Sequence, residues 1–169
     1  MSRRSIVVAA IAAMAWAPVR LAVAAENGID LAAAVTKADA QTALGEPVKD
    51  PQTRSDEGAD GFYSRCNYYS ENPGKSLVLR VRQAGPGHLE PKKQLEEMTA
   101  DNGKMKALTG LGDKAALVSE GAAKGPGHAV MLYVAKQNAF VTVAISGIDD
   151  EKSATEKAKT LAKKILGKL

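Results

Sequence analysis

The chain has a single cysteine, Cys66, among its 169 residues. No intramolecular disulfide can form, so stability has to come from packing alone. Histidine is almost as scarce, with only His88 and His128 to serve a metal site or an acid–base pair. No serine stands in a Gly-x-Ser-x-Gly elbow, which removes the sequence signature of an α/β-hydrolase. Gly110-Leu111-Gly112 has no third glycine after it and precedes a strand pattern, so it reads as turn glycines and not as a dinucleotide fingerprint. Beyond residue 24 no apolar run approaches the roughly 20 residues that cross a bilayer.

The first 24 residues are where the apolar composition concentrates. Arg3 and Arg4 precede an apolar stretch from Ile6 to Ala17, and Ala22-Val23-Ala24 supplies the small-x-small pattern of a signal-peptidase site. A positive start, a short apolar segment and small residues at the cut predict an export signal over residues 1–24, cleaved before Ala25. Pro18 and Arg20 interrupt the run and set it apart from an uncleaved anchor. Ser2-Arg3-Arg4-Ser5-Ile6-Val7 also partly matches a twin-arginine signal, although ordinary export signals begin in a similar way. With cleavage, the protein is expected in the periplasm or outside the cell, as a single domain over residues 25–169. Cys66 lies too far from the cut to be a lipidated first residue.

The leader also distorts the charge. The whole chain has 23 basic and 19 acidic residues, a net +4. Without Arg3, Arg4 and Arg20 the balance is 20 against 19, a net +1. A nearly neutral domain lacks the clustered positive charge a nucleic-acid partner calls for.

Within the domain, Leu31, Val35, Ala38 and Thr42 recur at helical spacing, predicting one helix from Asp30 to Leu44 that stops at Gly45. Glu46 to Gly61 is rich in Asp, Gly and Pro and reads as a loop, with at most a short strand near Val48 to Thr53. Phe62–Tyr69 and Ser76–Gln83 predict a hairpin around Ser70 to Lys75. In its second strand Leu77, Leu79 and Val81 face the core, and Arg80 and Arg82 are sent toward water. A second helix starts at Pro91 and ends between Asn102 and Lys106. Three strands follow, over 116–120, 129–136 and 139–146, the middle one apolar on both faces. A third helix begins after Asp149 and buries Ala154, Ala158, Leu161, Ala162, Ile165 and Leu166. The fold class is α+β, an antiparallel sheet with packed helices in the order α-β-β(β)-α-β-β-β-α. Ala43 to Val48 resembles Gly110 to Ala115. The two halves therefore read as an imperfect duplication of a helix-plus-hairpin unit, or as coincidence in an alanine-rich chain.

Leu-Gly after the first helix, Cys66-Asn67-Tyr68, Gly110-Leu111-Gly112-Asp113-Lys114-Ala115 and a lysine-rich last helix resemble small exported bacterial domains of unknown function. Similar patterns occur in actinobacterial cell-envelope lipoproteins with a PsbP-like α/β sandwich. The resemblance implies that fold and an envelope location, and it brings no catalytic residues. The missing lipidation cysteine is a departure from those lipoproteins.

Candidate sites are few. Tyr68, Tyr69, Arg80 and Arg82, with Tyr63 and Arg65 nearby, combine the residue types that dominate recognition surfaces. They point to a protein or polymer partner of the envelope, without a cofactor. His88 and His128 each close a Gly-Pro-Gly-His string, and with Cys66 they offer a soft ligand set for copper or zinc. Asp56, Glu57 and Asp60 form an acidic loop, as do Asp149, Asp150 and Glu151, but neither has the ordered ligands of a calcium hand. Expected first is a non-catalytic binding or accessory protein. A metal-handling protein is the alternative, and a hydrolase with an unrecognised site the second.

Overall fold

A computed structural model describes residues 28–121 and 127–169; the export signal expected over residues 1–24 lies outside the described residues. The chain opens with two short helices, α1 (Leu31–Ala34) and α2 (Lys37–Leu44). A meander follows: β1 (Gln52–Gly58), β2 (Gly61–Tyr69) and β3 (Ser76–Ala84). After α3 (Pro91–Asp101) and the short β4 (Lys106–Leu108) comes a second meander of β5 (Lys114–Gly121), β6 (His128–Lys136) and β7 (Ala139–Ile148). The chain then enters α4 (Glu151–Leu166). All strands join one antiparallel seven-stranded sheet in the order β1-β2-β3-β7-β6-β5-β4. The last strands of the two meanders, β3 and β7, pair at the centre.

The predicted first helix is broken in two. Thr36 caps the second piece, its hydroxyl accepting from the Asp39 backbone N–H while the Asp39 carboxylate accepts from the Thr36 N–H. This reciprocal capping holds Val35 and Thr36 extended and restarts the helix in a new direction. The buried stripe shifts accordingly: Ala40, Ala43 and Leu44 are covered, and Ala38 and Thr42 are exposed. The predicted loop over 46–61 is also corrected, because β1 occupies its second half. Every β1 residue is exposed, so this edge strand has no apolar alternation to betray it. Its charged side chains suit an unpaired edge, where they deter pairing with another chain.

One sheet face carries the main core. Leu77, Leu79 and Val81 of β3 lie opposite Ile145, Val143 and Val141 of β7, and all six are buried. The α4 stripe from Ala154 to Leu166 packs on this face with the buried residues of α1 and α2. Asp150 caps α4 by accepting from the Ser153 N–H at 2.7 Å, and Lys164 reaches back to Asp39 of α2 at 2.6 Å. Among the described residues the other face receives α3 alone. Leu95 of α3 is fully buried against Ala116, Ala135 and Phe140, with Met98, Met105 and Tyr133 around them. Those partners belong to β5, β6 and β7, so the β1–β3 half of this face carries no helix among the described residues. No described helix is long and apolar enough to cross a membrane.

Candidate functional site

The bare half-face beside α3 forms an open groove of about 540 Å³. Strand register decides what lines it. Side chains alternate across a strand, so residues paired straight across neighbouring strands share a face. Arg54 of β1 pairs with Arg65 of β2, and Arg65 with Arg80 of β3. The row continues through Thr142 of β7 and Tyr133 of β6. Three arginines thus stand side by side on adjacent strands, and all three line the groove. Directly opposed like charges destabilise a sheet unless something answers them. Arg54 is answered by Asp56, Nε to Oδ2, at 2.6 Å. Arg65 donates from Nε to the uncharged Asn67 Oδ1 at 3.1 Å, and neither Arg65 nor Arg80 has a carboxylate partner among the described residues.

The next row toward α3 is Asp56, Tyr63, Arg82 and Phe140, again paired strand to strand. Here the sequence expectation for Arg82 fails: the residue is 8% exposed and does not extend into water. Its guanidinium donates to Asp60 Oδ2 at 3.2 Å, to the Leu89 carbonyl at 2.9 Å and to Gln94 Oε1 at 2.7 Å. Arg82 therefore clamps the β1–β2 turn, the loop before α3 and α3 itself onto one another. Its Nε is buried and meets no acceptor among the described residues. Asp60 is held in the turn between β1 and β2. Gly61 closes that turn at φ 141°, where a Cβ would sit 2.0 Å from the Gln83 carbonyl oxygen. The Tyr63 hydroxyl donates to Asp60 at 2.7 Å and holds its carboxyl below the usual range, with the Arg82 charge adding to the effect. The same bond pushes the Tyr63 phenol up.

The other anticipated residues are scattered. Tyr68 leaves the recognition surface altogether: it is fully buried on the opposite face and donates its hydroxyl to the Val35 carbonyl at 2.5 Å. Adjacent residues of a strand point to opposite sides, so Tyr69 is the exposed member, hydrogen-bonded to Asn67 one row beyond the arginines. The metal set is not brought together. His88 lies by Gly85 at the end of β3, His128 pairs with Ile148 at the other end of the sheet, and Cys66 is buried between. Nine-residue strands separate the two ends by about 25–30 Å. Asp56 and Glu57 are neighbours in β1 and face opposite ways, which disperses the acidic loop. Among the described residues no three His, Cys, Asp or Glu side chains converge as a metal site.

Cys66 is fully buried, and burial pushes its thiol up, away from the thiolate a nucleophile requires. What the groove offers chemically is fixed positive charge against an apolar wall of Phe140 and Leu89. Arg54, Asp60, Gln94 and Phe140 were not singled out from the sequence as groove residues. The Arg54-x-Asp56 alternation was the one local signal, hidden in a stretch that reads as a loop. Compared with protein-family models, curated proteins and solved structures, the chain matches none.

Proposed function

We propose that this is an exported, non-catalytic binding protein of the cell envelope, and that the arginine-lined groove is where it takes hold of a negatively charged envelope component. The observation that carries this reading is the register-aligned row Arg54–Arg65–Arg80, two of whose members have no carboxylate partner among the described residues. A sheet that aligns like charges and leaves two of them unanswered is built at a cost to its own stability. Such a cost makes sense where an outside anion supplies the missing charge. The open sheet face, the absence of an activated thiol at Cys66 and the separation of His88 from His128 support binding over thiol chemistry or shared metal ligation. Export itself rests on residues 1–24 of the sequence.

The test is capture from the envelope fraction of the host cell by the immobilised full chain, run beside an R65Q/R80Q double variant. Material retained by the native protein and lost by the variant is the expected result. Equal retention by both proteins removes the groove from the function.

A further inference from the structure

The geometry points to a narrower ligand class, on the premise that the groove is the binding site: a phosphate monoester carrying an apolar or aromatic body. Three features select it. First, the groove holds four arginines and two aspartates, and the aspartates are engaged by Arg54 and Arg82. What remains is the charge of Arg65 and Arg80, two positive charges on adjacent strands. A carboxylate brings one negative charge and suits one guanidinium fork. A phosphate monoester brings close to two charges and three terminal oxygens, enough to accept from two neighbouring forks at once.

Second, Arg82 adds a further guanidinium to the groove wall, and Asp60, the Leu89 carbonyl and Gln94 hold it in place, so the positive end of the groove is rigid before any ligand arrives. Third, the row on the α3 side of the three arginines sets apolar surface beside charges that are already engaged: Tyr63 and Phe140 alternate there with Asp56 and Arg82. Tyr63 and Leu89 are 40% and 42% exposed, unusually open for large apolar side chains here, and Phe140 stands beside them. The groove's volume of about 540 Å³ falls in the range that accepts a small organic molecule. A charged head on Arg65 and Arg80 with its body against Leu89, Tyr63 and Phe140 uses the whole site. The same chemistry comes from a soluble aryl or alkyl phosphate or from a lipid whose headgroup is a phosphate monoester.

Calorimetric titration of the full chain with phenyl phosphate, benzoate and inorganic phosphate tests the class. Phenyl phosphate is expected to bind at least about tenfold more tightly than benzoate, and R65Q and R80Q each to weaken it by about tenfold or more, the size of a lost charge-assisted hydrogen bond. K152Q, the same charge change on α4 across the sheet, is expected to leave binding unchanged. A parallel arm sediments the protein with phosphatidylcholine vesicles with and without phosphatidic acid. Retention that needs phosphatidic acid and is reversed by phenyl phosphate assigns the lipid source, and titration without retention assigns the soluble one. Phenyl phosphate binding no better than benzoate, or binding indifferent to both arginine variants, overturns the phosphate assignment. If the double variant still loses envelope capture in that case, the groove stands and only its ligand class falls; if it does not, both fall.

Discussion

Replacing Arg80 by glutamine should make the free protein more stable, not less. Guanidinium groups about 5–7 Å apart in a high-dielectric surface setting repel by about 0.6–0.8 kcal/mol. Arg80 has Arg65 directly across on β2, with Arg54 one strand further. Arg54 is already answered by Asp56, so the relief comes from the Arg65 pair, and R80Q should gain about 0.6–0.8 kcal/mol at low ionic strength. Screening then provides the internal control, because the Debye length falls from about 30 Å at 0.01 M salt to about 3 Å at 1 M. The gain should shrink below about 0.2 kcal/mol over that range. R54Q is the companion variant: it removes repulsion from Arg65 and attraction to Asp56 together, so its effect should lie near zero. The assay is urea denaturation at several salt concentrations. For a domain of this size the gain also appears as a rise in Tm, at roughly 2–4 °C for each 1 kcal/mol. If R80Q is neutral or destabilising at low salt, or if its gain persists at 1 M salt, the aligned arginines are not a stored electrostatic cost and the case for an external anion loses its foundation.

Other expectations follow from single contacts. Tyr68→Phe leaves the buried Val35 carbonyl without its hydroxyl donor and should destabilise by about 1–3 kcal/mol in urea denaturation; a loss under about 0.5 kcal/mol would show that the bond does not hold α1 to the sheet. Cys66 should resist alkylation by iodoacetamide in the folded protein and react only after unfolding, because burial both covers the thiol and raises its pKa. The Asp39 carboxyl is held below its ordinary value, first by the hydrogen bond from Lys164 and then by the Thr36 backbone and side-chain bonds. Its contribution is fully present above the unfolded-state pKa near 3.9 and is lost as pH falls through the lower folded-state value. Stability measured from about pH 6 down to about pH 2 should therefore fall less steeply for Asp39→Asn than for the native chain. Identical slopes would rule out the α2–α4 pairing as an acid-sensitive contact.

Local pattern was enough to recover several elements. Alternation at Leu77, Leu79 and Val81 specified β3 and its core face, and the Ala154-to-Leu166 stripe specified α4, because each period is a property of a few consecutive residues. Patterns without apolar contrast were opaque. β1 is exposed along its whole length, and the Thr36–Asp39 capping box divided a run whose apolar spacing read as a single helix.

The sequence by itself determined the α+β class, most of the strands and the expectation of export, since composition and periodicity are written within short stretches. It also supplied Tyr68 and Tyr69 as neighbours that must face opposite ways, without saying which one was inside. Only the tertiary structure decided that choice, put α3 over one half of a sheet face and left the other half without a helix among the described residues. It alone set Arg54, Arg65 and Arg80, from three strands, in one row: register between strands is a long-range relation, and no local pattern carries it.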